Sequence, residues 1–219
     1  MNKSLVNLTL PVYNEEKILE QTIKKVLPLA DEIIISDNAS TDNTERIGRE
    51  LAKKHHKITY LRTEEKGVGA ALKNAWNKSK CDILTYMDVD LSSDINKFND
   101  LINLKEEDLA IGIRMDKESR GKRKPLSNMY NKLTQLVFKT NIKDFQCGFK
   151  AVKKHTFQKL NIKSNGWFFD TELIIKAKRK GIKIKEVPLD YVQGQESKVR
   201  IISTTFELLR GILKLVFSK

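Results

Sequence analysis

Two aspartates at the end of an apolar stretch carry the strongest chemical signal in the chain. Asp88 and Asp90 follow residues 83–87, Ile-Leu-Thr-Tyr-Met, a run typical of a buried strand. Extended backbone has a period of two, so both carboxylates can face one point just past the strand end. Such hard oxygen ligands suit Mg²⁺ or Mn²⁺ together with water and phosphate. The alternative is a solvated turn, where aspartate is common, and the pair alone does not exclude it.

Short apolar strands alternate with amphipathic helices through the first 90 residues, in the order β-α-β-α-β-α-β. Pro11 is predicted to end the first strand, and the first helix is predicted to begin near Glu15. This order predicts a parallel sheet with helices on both faces. The loops around Asn14, Asp37 and Asp88 then lie at one rim of the sheet, where a nucleotide would sit. The predicted strands are 5–10, 32–36, 57–61 and 83–87.

The second half continues less regularly. Arg114 opens a basic loop that ends near residue 125. Pro188 is predicted to stop the last strand. The predicted helices are 94–104, 126–138 and 168–180, and the predicted strands are 109–113, 182–187 and one that ends near residue 152. We therefore expect one α/β domain over residues 1–200, followed by an amphipathic helix over residues 201–219.

Composition limits the class of partner. The chain has 219 residues, is 40% hydrophobic and carries a net charge of +13, which favours a polyanionic partner. Nucleic acid, anionic membrane and phosphorylated small molecules all fit that charge, but no nucleic-acid-binding signature is recognisable. We expect no nucleic-acid partner. We also expect no signal peptide, and no apolar run reaches the roughly 18 residues that span a bilayer.

Six segments occur in an order and spacing that are informative when they are taken together. They are 11–16 (Pro-Val-Tyr-Asn-Glu-Glu), 36–44 (Ser-Asp-Asn-Ala-Ser-Thr-Asp-Asn-Thr), 66–67 with the alanine-rich stretch after it, 88–91, 144–150 (Asp-Phe-Gln-Cys-Gly-Phe-Lys), and 169–173 with 186–188. With these segments the chain resembles the family 2 glycosyltransferases of the GT-A (Rossmann-like) fold. Within that family it looks like the dolichyl- and polyprenyl-phosphate mannose or glucose synthases. Ser36 and Asn38 depart from the family's D-D-G-S pattern.

The resemblance implies a pocket for a nucleotide-sugar donor, GDP-mannose or UDP-glucose. An ionised Asp37 would accept hydrogen bonds from the base or ribose, although a helix cap or Asx-turn is the alternative. Glu15 is also explained by the helix dipole alone, and Gly67 by an ordinary loop. The implied nucleotide-binding residues are Pro11, Tyr13, Glu15, Asp37, Lys66, Gly67 and Asp88.

The resemblance also implies a metal site. Asp88 and Asp90 would hold Mg²⁺ or Mn²⁺ against the donor diphosphate, where the cation offsets charge on the leaving group. Relatives often carry glutamine two residues after the second aspartate, but Ser92 stands there in this chain. Ser92 is therefore the predicted third ligand, either directly or through water.

A polyprenyl-phosphate acceptor, which the resemblance implies, is largely dianionic and needs cationic positioning more than it needs a base. Arg114 and Lys198 match family positions suited to phosphate. Asp170 or Glu172 is the candidate if a base acts, with N-capping as the alternative for Asp170. A glycan or other hydroxyl acceptor would need such a base. A catalytically silent basic membrane-binding module is a further alternative.

The tail is predicted to be amphipathic. A helix lying in a membrane interface suits this pattern, and so does a helix docked on its own domain or on a membrane partner subunit. We expect the protein in the cytoplasm, peripheral on the cytoplasmic face of a membrane. The apolar residues assigned to one side of the tail are Phe206, Leu209, Ile212, Leu213, Val216 and Phe217.

Overall fold

The computed structural model of the protein describes residues 4–115, 123–190 and 201–217. Within them, the strands form one seven-stranded sheet in the order β3-β2-β1-β4-β6-β5-β7. The strands are β1 (Val6–Val12), β2 (Glu32–Asp37), β3 (Ile58–Arg62), β4 (Ile83–Met87), β5 (Leu109–Arg114), β6 (Phe149–Lys153) and β7 (Ile184–Leu189). The helices are α1 (Leu19–Val26), α2 (Thr44–Lys54), α3 (Val68–Lys78), α4 (Phe98–Ile102), α5 (Arg123–Phe138), α6 (Lys154–Leu160), α7 (Phe169–Arg179) and α8 (Ile201–Phe217).

The sheet is mostly parallel, as the α/β pattern predicted. Only β6 among the described strands runs against its neighbours, β4 and β5, whereas the other pairs are parallel. Met87 pairs with Phe149, so β6 begins at the edge where β4 ends. This inversion brings the loop before β6 directly beside Asp88.

Helices cover both faces of the sheet. Alternate residues of a strand point to opposite faces, and β4 follows this rule. Leu84 and Tyr86 belong to one buried cluster, whereas Ile83 and Met87 belong to the other. The predicted layers are therefore confirmed.

Two predicted strand ends are wrong. β1 continues through Pro11 to Val12, and β7 continues through Pro188 to Leu189. Thr9 is the last β1 residue that pairs with β4. Pro11 lies two residues beyond it, where β1 has no neighbour on that side. β7 is itself an edge of the sheet. Proline is tolerated at edges because its missing N–H costs no ladder hydrogen bond there.

Some helix limits also differ from prediction. α1 begins at Leu19 rather than near Glu15, because Glu15 starts a turn whose carbonyl accepts the N–H groups of Ile18 and Leu19. The predicted helix 94–104 is a short 3-10 turn, Ile95–Lys97, followed by α4. The sequence patterns did not predict α6.

The C-terminal helix α8 docks on the domain. Leu208, Ile212 and Leu215 are buried in the same cluster as α7. A Cβ at Gly211 would lie 2.2 Å from Cγ of Phe168, so the backbone of α8 comes very close to that ring. Ile212 was grouped on one side of the helix with five other apolar residues, and that grouping is wrong because Ile212 lies on the docked face whereas the other five are exposed. None of the described helices is long and apolar enough to cross a bilayer.

Candidate active site

The loops after β1 and β2 interlock at the carboxyl edge of the sheet. Asn14, with φ of 56°, donates its backbone N–H to Ser40 Oγ at 2.9 Å, and its Oδ1 accepts the Thr41 N–H at 2.7 Å. The loop after β4 joins α1, since Thr22 Oγ1 donates to the Val89 carbonyl at 2.7 Å. The prediction that these three loops share one rim is confirmed.

Asp37 ends β2 at this rim and is 0% exposed. Its Oδ1 accepts the Ser40 N–H at 2.8 Å, and its Oδ2 accepts the Tyr60 hydroxyl at 2.6 Å. Burial, followed by the hydrogen bond from Tyr60 to Asp37, raises the pKa of Tyr60, so the hydroxyl remains a donor. These contacts establish the turn-forming role that was the alternative for Asp37. Its contact with a nucleotide stays a prediction.

The loop before α3 is tied to the same edge. The Asn38 side chain accepts the Gly67 N–H at 2.8 Å and donates to the Glu65 carbonyl at 2.7 Å. Gly67 has φ of 126°, a conformation that favours glycine. Asn38, one of the departures from the family pattern, therefore fixes residues 65–70. We call these residues the donor loop, because Lys66 and Gly67 are predicted to bind the donor, and Lys66 is exposed there.

The other predicted donor residues line the start of this rim. Pro11 is half-buried within β1, and the side chain of Tyr13 is 51% exposed just after it. The backbone N–H of Glu15 donates to Thr44 Oγ1 at 2.8 Å, which joins the first loop to the start of α2. Their contact with a nucleotide stays a prediction.

Asp88 and Asp90 lie in a tight turn directly after β4. The Asp88 N–H donates to the Gly148 carbonyl at 3.1 Å, and its own carbonyl accepts the Leu91 N–H at 3.1 Å. Asp90 Oδ1 accepts the Ser92 N–H at 3.0 Å. A Cβ at Gly148 would lie 2.1 Å from Asp88 Oδ2, so only glycine leaves room for this carboxylate.

The electrostatics of Asp88 indicate a site that favours added positive charge. Burial, together with the carboxylates of Asp90 and Asp170, raises the pKa of Asp88 to about 7, although Arg114 and Lys150 lower it. A divalent cation would relieve this repulsion, and carboxylate oxygens are suitable ligands for Mg²⁺ or Mn²⁺. Asp88 and Asp90 therefore fit the predicted metal.

The third ligand is less well supported. Within the described residues, no group of three or more acidic, histidine or cysteine side chains is placed to hold a metal. Ser92 is half-buried in the same turn, where its backbone N–H is bonded to Asp90. Its role as a ligand stays a prediction, and the remaining coordination would fall to the donor diphosphate and water.

Arg114 ends β5 at the same rim and forms a bidentate ion pair. Its Nε and Nη2 donate to the two carboxylate oxygens of Asp144 at 2.7 and 2.8 Å. This fork geometry fixes the guanidinium plane at the strand end. Arg114 was the predicted phosphate ligand, whereas Asp144, which holds it, had no predicted role.

A buried polar cluster lies beneath Asp88. Lys150 Nζ is 3.1 Å from Asp170 Oδ1 and donates to the Cys147 carbonyl at 2.5 Å. The hydroxyl of Tyr86 donates to the same Asp170 oxygen at 2.5 Å. Burial raises the pKa of Asp170, while Lys150 and Tyr86 oppose the shift. Lys150 and Tyr86 had no predicted role, although a lysine within the apolar run of β6 is a signal of a buried charge.

The candidate bases take defined places in α7. Phe168 is the N-cap, so the N-capping alternative for Asp170 is wrong. Glu172 accepts the N–H groups of Lys163 and Ser164 at 3.0 and 2.7 Å and pairs with Lys176. Burial raises the pKa of Glu172, but these bonds outweigh it and hold the pKa below its usual value. A carboxylate held ionised in this way is a weak base, so the structure indicates a supporting role.

Lys198, the second predicted phosphate ligand, lies outside the described residues, and its role stays a prediction. The remaining predicted residues meet at one edge of the sheet. Asp88, Asp90 and Ser92 lie on the turn after β4, with Arg114 at the end of β5 beside the loop 144–148. Such an edge is where open α/β sheets bind nucleotides.

The chain matches the Glycosyl transferase family 2 model over residues 8–160. This match covers more than half of the sequence and includes the rim and the Asp88–Asp90 turn. The protein therefore belongs to glycosyl transferase family 2.

Curated relatives share this sequence along nearly its whole length. Glycosyltransferase AglD of Haloferax volcanii is 31% identical over 95% of this chain, which spans only 36% of that protein. A dolichol-phosphate mannosyltransferase of Pyrococcus furiosus is 30% identical over 96% of the chain and 63% of the relative. A dolichyl-phosphate beta-glucosyltransferase of Saccharomyces cerevisiae is 28% identical over 95% and 73%, respectively.

Solved structures support the fold. A glucosyl-3-phosphoglycerate synthase from Mycobacterium tuberculosis, crystallised with Mn²⁺, UDP and phosphoglyceric acid, superposes with a TM-score of 0.77. The match covers 99% of this chain and 80% of the synthase, at 19% identity. The GT-A fold that the sequence predicted is thereby confirmed.

Proposed function

We propose that the protein is an inverting hexosyltransferase that moves mannose or glucose from a nucleoside-diphosphate sugar to a dolichyl or polyprenyl phosphate. The observation that carries this proposal is the pairing of opposite charges at one rim. Two carboxylates, Asp88 and Asp90, lie at the same rim as Arg114, whose guanidinium opposes the rise in the pKa of Asp88. The names of the curated relatives support the same acceptor class.

The carboxylates belong to the donor side of the proposed reaction. Asp88 and Asp90 would hold Mg²⁺ or Mn²⁺, which would supply charge neutralisation for the departing nucleoside diphosphate. The loop fixed by Asn38 and the rim around Tyr13 would position the nucleotide. Since the turn 88–92 is braced by Gly148 and Thr22, the carboxylates are positioned before the donor arrives.

The acceptor side of the proposed reaction relies on cations. An oxygen of the acceptor phosphate attacks the anomeric carbon, and the bond to the nucleoside diphosphate breaks with inversion. A phosphate dianion carries no proton on the attacking oxygen, so this step needs no general base. Arg114, oriented by Asp144, would bring this anion toward a second anion, the donor.

A hydroxyl acceptor is the alternative and would require a base. Asp170 supports this alternative, because burial raises its pKa toward the range useful in proton transfer. Its ion pair with Lys150 and its 6% exposure weigh against it. A catalytically silent basic membrane-binding module is the further alternative. It predicts that substitutions of Asp88 and Asp90 leave the function of the protein unchanged.

A donor and acceptor panel tests the proposal. Purified protein is assayed with GDP-mannose and UDP-glucose, each with Mg²⁺ or Mn²⁺, against a short polyprenyl phosphate, phosphoglycerate and a glycan. We expect a lipid-linked product with one donor, and a loss of at least about a hundredfold in Asp88→Asn. The matched control is Asp100→Asn, an exposed carboxylate on α4. Transfer only to a hydroxyl acceptor would establish the alternative, and transfer to no acceptor would overturn the proposal.

The location is also a proposal, namely the cytoplasmic face of a membrane. One side of α8 is docked, but residues at helical spacing on another side remain exposed. Arg210 and Lys214 lie beside this apolar stripe, which suits an anionic lipid surface. Its residues are Phe206, Leu209, Leu213, Val216 and Phe217.

A further inference from the structure

Residues 163–168, between α6 and α7, form a segment that touches the donor loop on one side and α8 on the other. We call it the bridging segment. The Asn165 carbonyl accepts the Ala70 N–H at 2.8 Å and so satisfies a donor in the first turn of α3. The Asn165 side chain also bonds to Lys73 and Glu65. One residue thus joins the bridging segment to both ends of the donor loop.

Two glycines of the donor loop allow this contact. A Cβ at Gly67 would lie 2.1 Å from the Asn165 carbonyl oxygen, and a Cβ at Gly69 would lie 2.8 Å from the Ser164 carbonyl oxygen. Real Cβ atoms do not approach backbone so closely. The bridging segment is therefore packed against the backbone of the loop itself, and a shift of one displaces the other.

The opposite side of the bridging segment rests on a carboxylate from α8. Glu207 Oε1 accepts the Phe168 N–H at 3.3 Å, just before α7 begins. A Cβ at Gly166 would lie 2.0 Å from the same oxygen. Negative charge at a helix N-terminus is favourable, and Glu207 places its carboxylate there by accepting the N–H of the N-cap residue.

We propose that Glu207 is a positioning residue for donor binding, a role that rests on the proposed function. It holds the bridging segment against residues 65–70, and this contact sets the shape of the donor loop. Glu172 anchors the start of the segment from α7, whereas Glu207 anchors its end from α8. The helix that carries the exposed apolar stripe is thereby connected to residues 65–70 through the contacts of Phe168 and Asn165 in the bridging segment.

Glu207→Ala tests this role, with Glu20→Ala on the exposed face of α1 as the matched control. Affinity for UDP and GDP is measured by calorimetry, and amide exchange is measured on a peptide covering residues 64–71. We expect faster exchange in that peptide and a dissociation constant raised roughly three- to thirtyfold. The KM for the donor should rise in parallel, with a smaller change in kcat. Unchanged exchange, or unchanged affinity for the nucleotide that the wild type binds, would overturn the proposal.

A second variant separates positioning from general loss of structure. Gly166→Ala places a Cβ against the Glu207 carboxylate, so we expect this single substitution to weaken nucleotide affinity. Combining it with Glu207→Ala removes the clash, so the double variant should be less impaired than the two separate effects predict. Additive effects would overturn the contact. If the wild type binds neither nucleotide, the proposed function fails, while exchange of residues 64–71 still tests the role of Glu207.

Discussion

The ammonium group of Lys150 lies 3.1 Å from the carboxylate of Asp170, and the Lys150 side chain is 0% exposed. A buried charge is tolerated only when it is paired and hydrogen-bonded. The Cys147 carbonyl and the Asp170 carboxylate satisfy the ammonium, and Tyr86 donates to the same carboxylate. The Asp170 carboxylate raises the pKa of Asp88 and the Lys150 ammonium lowers it, so the two charges of this pair oppose each other at Asp88.

The buried pair should be sensitive to the loss of one partner. Lys150→Met keeps most of the side-chain volume but leaves Asp170 without its counter-charge. We expect the free energy of unfolding to fall by about 3 kcal/mol, since breaking such a pair leaves an uncompensated buried charge. Denaturant unfolding at pH 8 measures the loss, because Asp170 is least able to escape by protonation at high pH.

The matched double variant, Lys150→Met with Asp170→Asn, removes both charges. It should recover part of the lost free energy of unfolding, because neither partner is left charged. A single variant as stable as the wild type would contradict the pairing.

The location of the site was predictable from the order of strands and loops. The carboxyl ends of parallel strands meet at one edge, so Asp37 and Asp88 had to lie at the same rim although 51 residues separate them. The period-two argument for Asp88 and Asp90 assumed extended backbone, but β4 ends at Met87 and the two residues share a turn, so their proximity follows from their spacing in the sequence. These predictions needed only local pattern and one topological rule.

The supporting contacts were not predictable in the same way. Lys150 reaches the site because β6 inserts antiparallel between β4 and β5, a long-range pairing that local periodicity does not encode. Asn165 contacts residues about 100 positions away, and its loop carries no periodic signal. The strand ends predicted at Pro11 and Pro188 were wrong for a related reason. Proline is tolerated at the edge of a sheet, and which strands lie at an edge depends on long-range pairing.

The stability of the cation-free protein should depend on Asp88 and pH. Its folded pKa of about 7 lies above the ordinary 3.8, so the folded state binds more protons between those two pH values. The free energy of unfolding therefore falls as pH rises through that window. Asp88→Asn removes this penalty. We expect its melting temperature to exceed that of the wild type by roughly 10 °C more at pH 8 than at pH 4.5.

The exposed carboxylate variant Asp100→Asn is the control and should show no such pH-dependent difference. Saturating Mn²⁺ should raise the melting temperature of the wild type at pH 8 but leave Asp88→Asn nearly unchanged, because a ligand stabilises only the state that binds it. An equal response of both proteins would place the cation elsewhere.

Arg114 should matter through its shape as well as its charge. Arg114→Lys keeps one positive charge but loses the two parallel hydrogen bonds to Asp144. We expect kcat/KM for the lipid phosphate to fall about tenfold or more, with a smaller change in donor affinity. Steady-state kinetics with each substrate varied in turn measures this. An equal loss for donor and acceptor would argue against an acceptor role.

The stripe on α8 should bind lipid. Phe206 and Leu213 are 73% and 60% exposed at helical spacing, beside Arg210 and Lys214. The double variant Phe206→Ser with Leu213→Ser removes apolar surface without touching the docked face of α8. We expect co-flotation with vesicles containing anionic lipid, and a partition coefficient lowered at least about tenfold in this variant.

Leu5→Ser is the matched control for this loss, because Leu5 is 49% exposed before β1, at the opposite end of the sheet from the site. It should float like the wild type. Neutral vesicles should bind less protein, because each basic residue near anionic lipid contributes about 1 kcal/mol. High salt should weaken the charged part of the attraction and leave the apolar part. A wild type that stays in solution with anionic vesicles at low salt would exclude the lipid surface and favour a partner subunit on the same stripe.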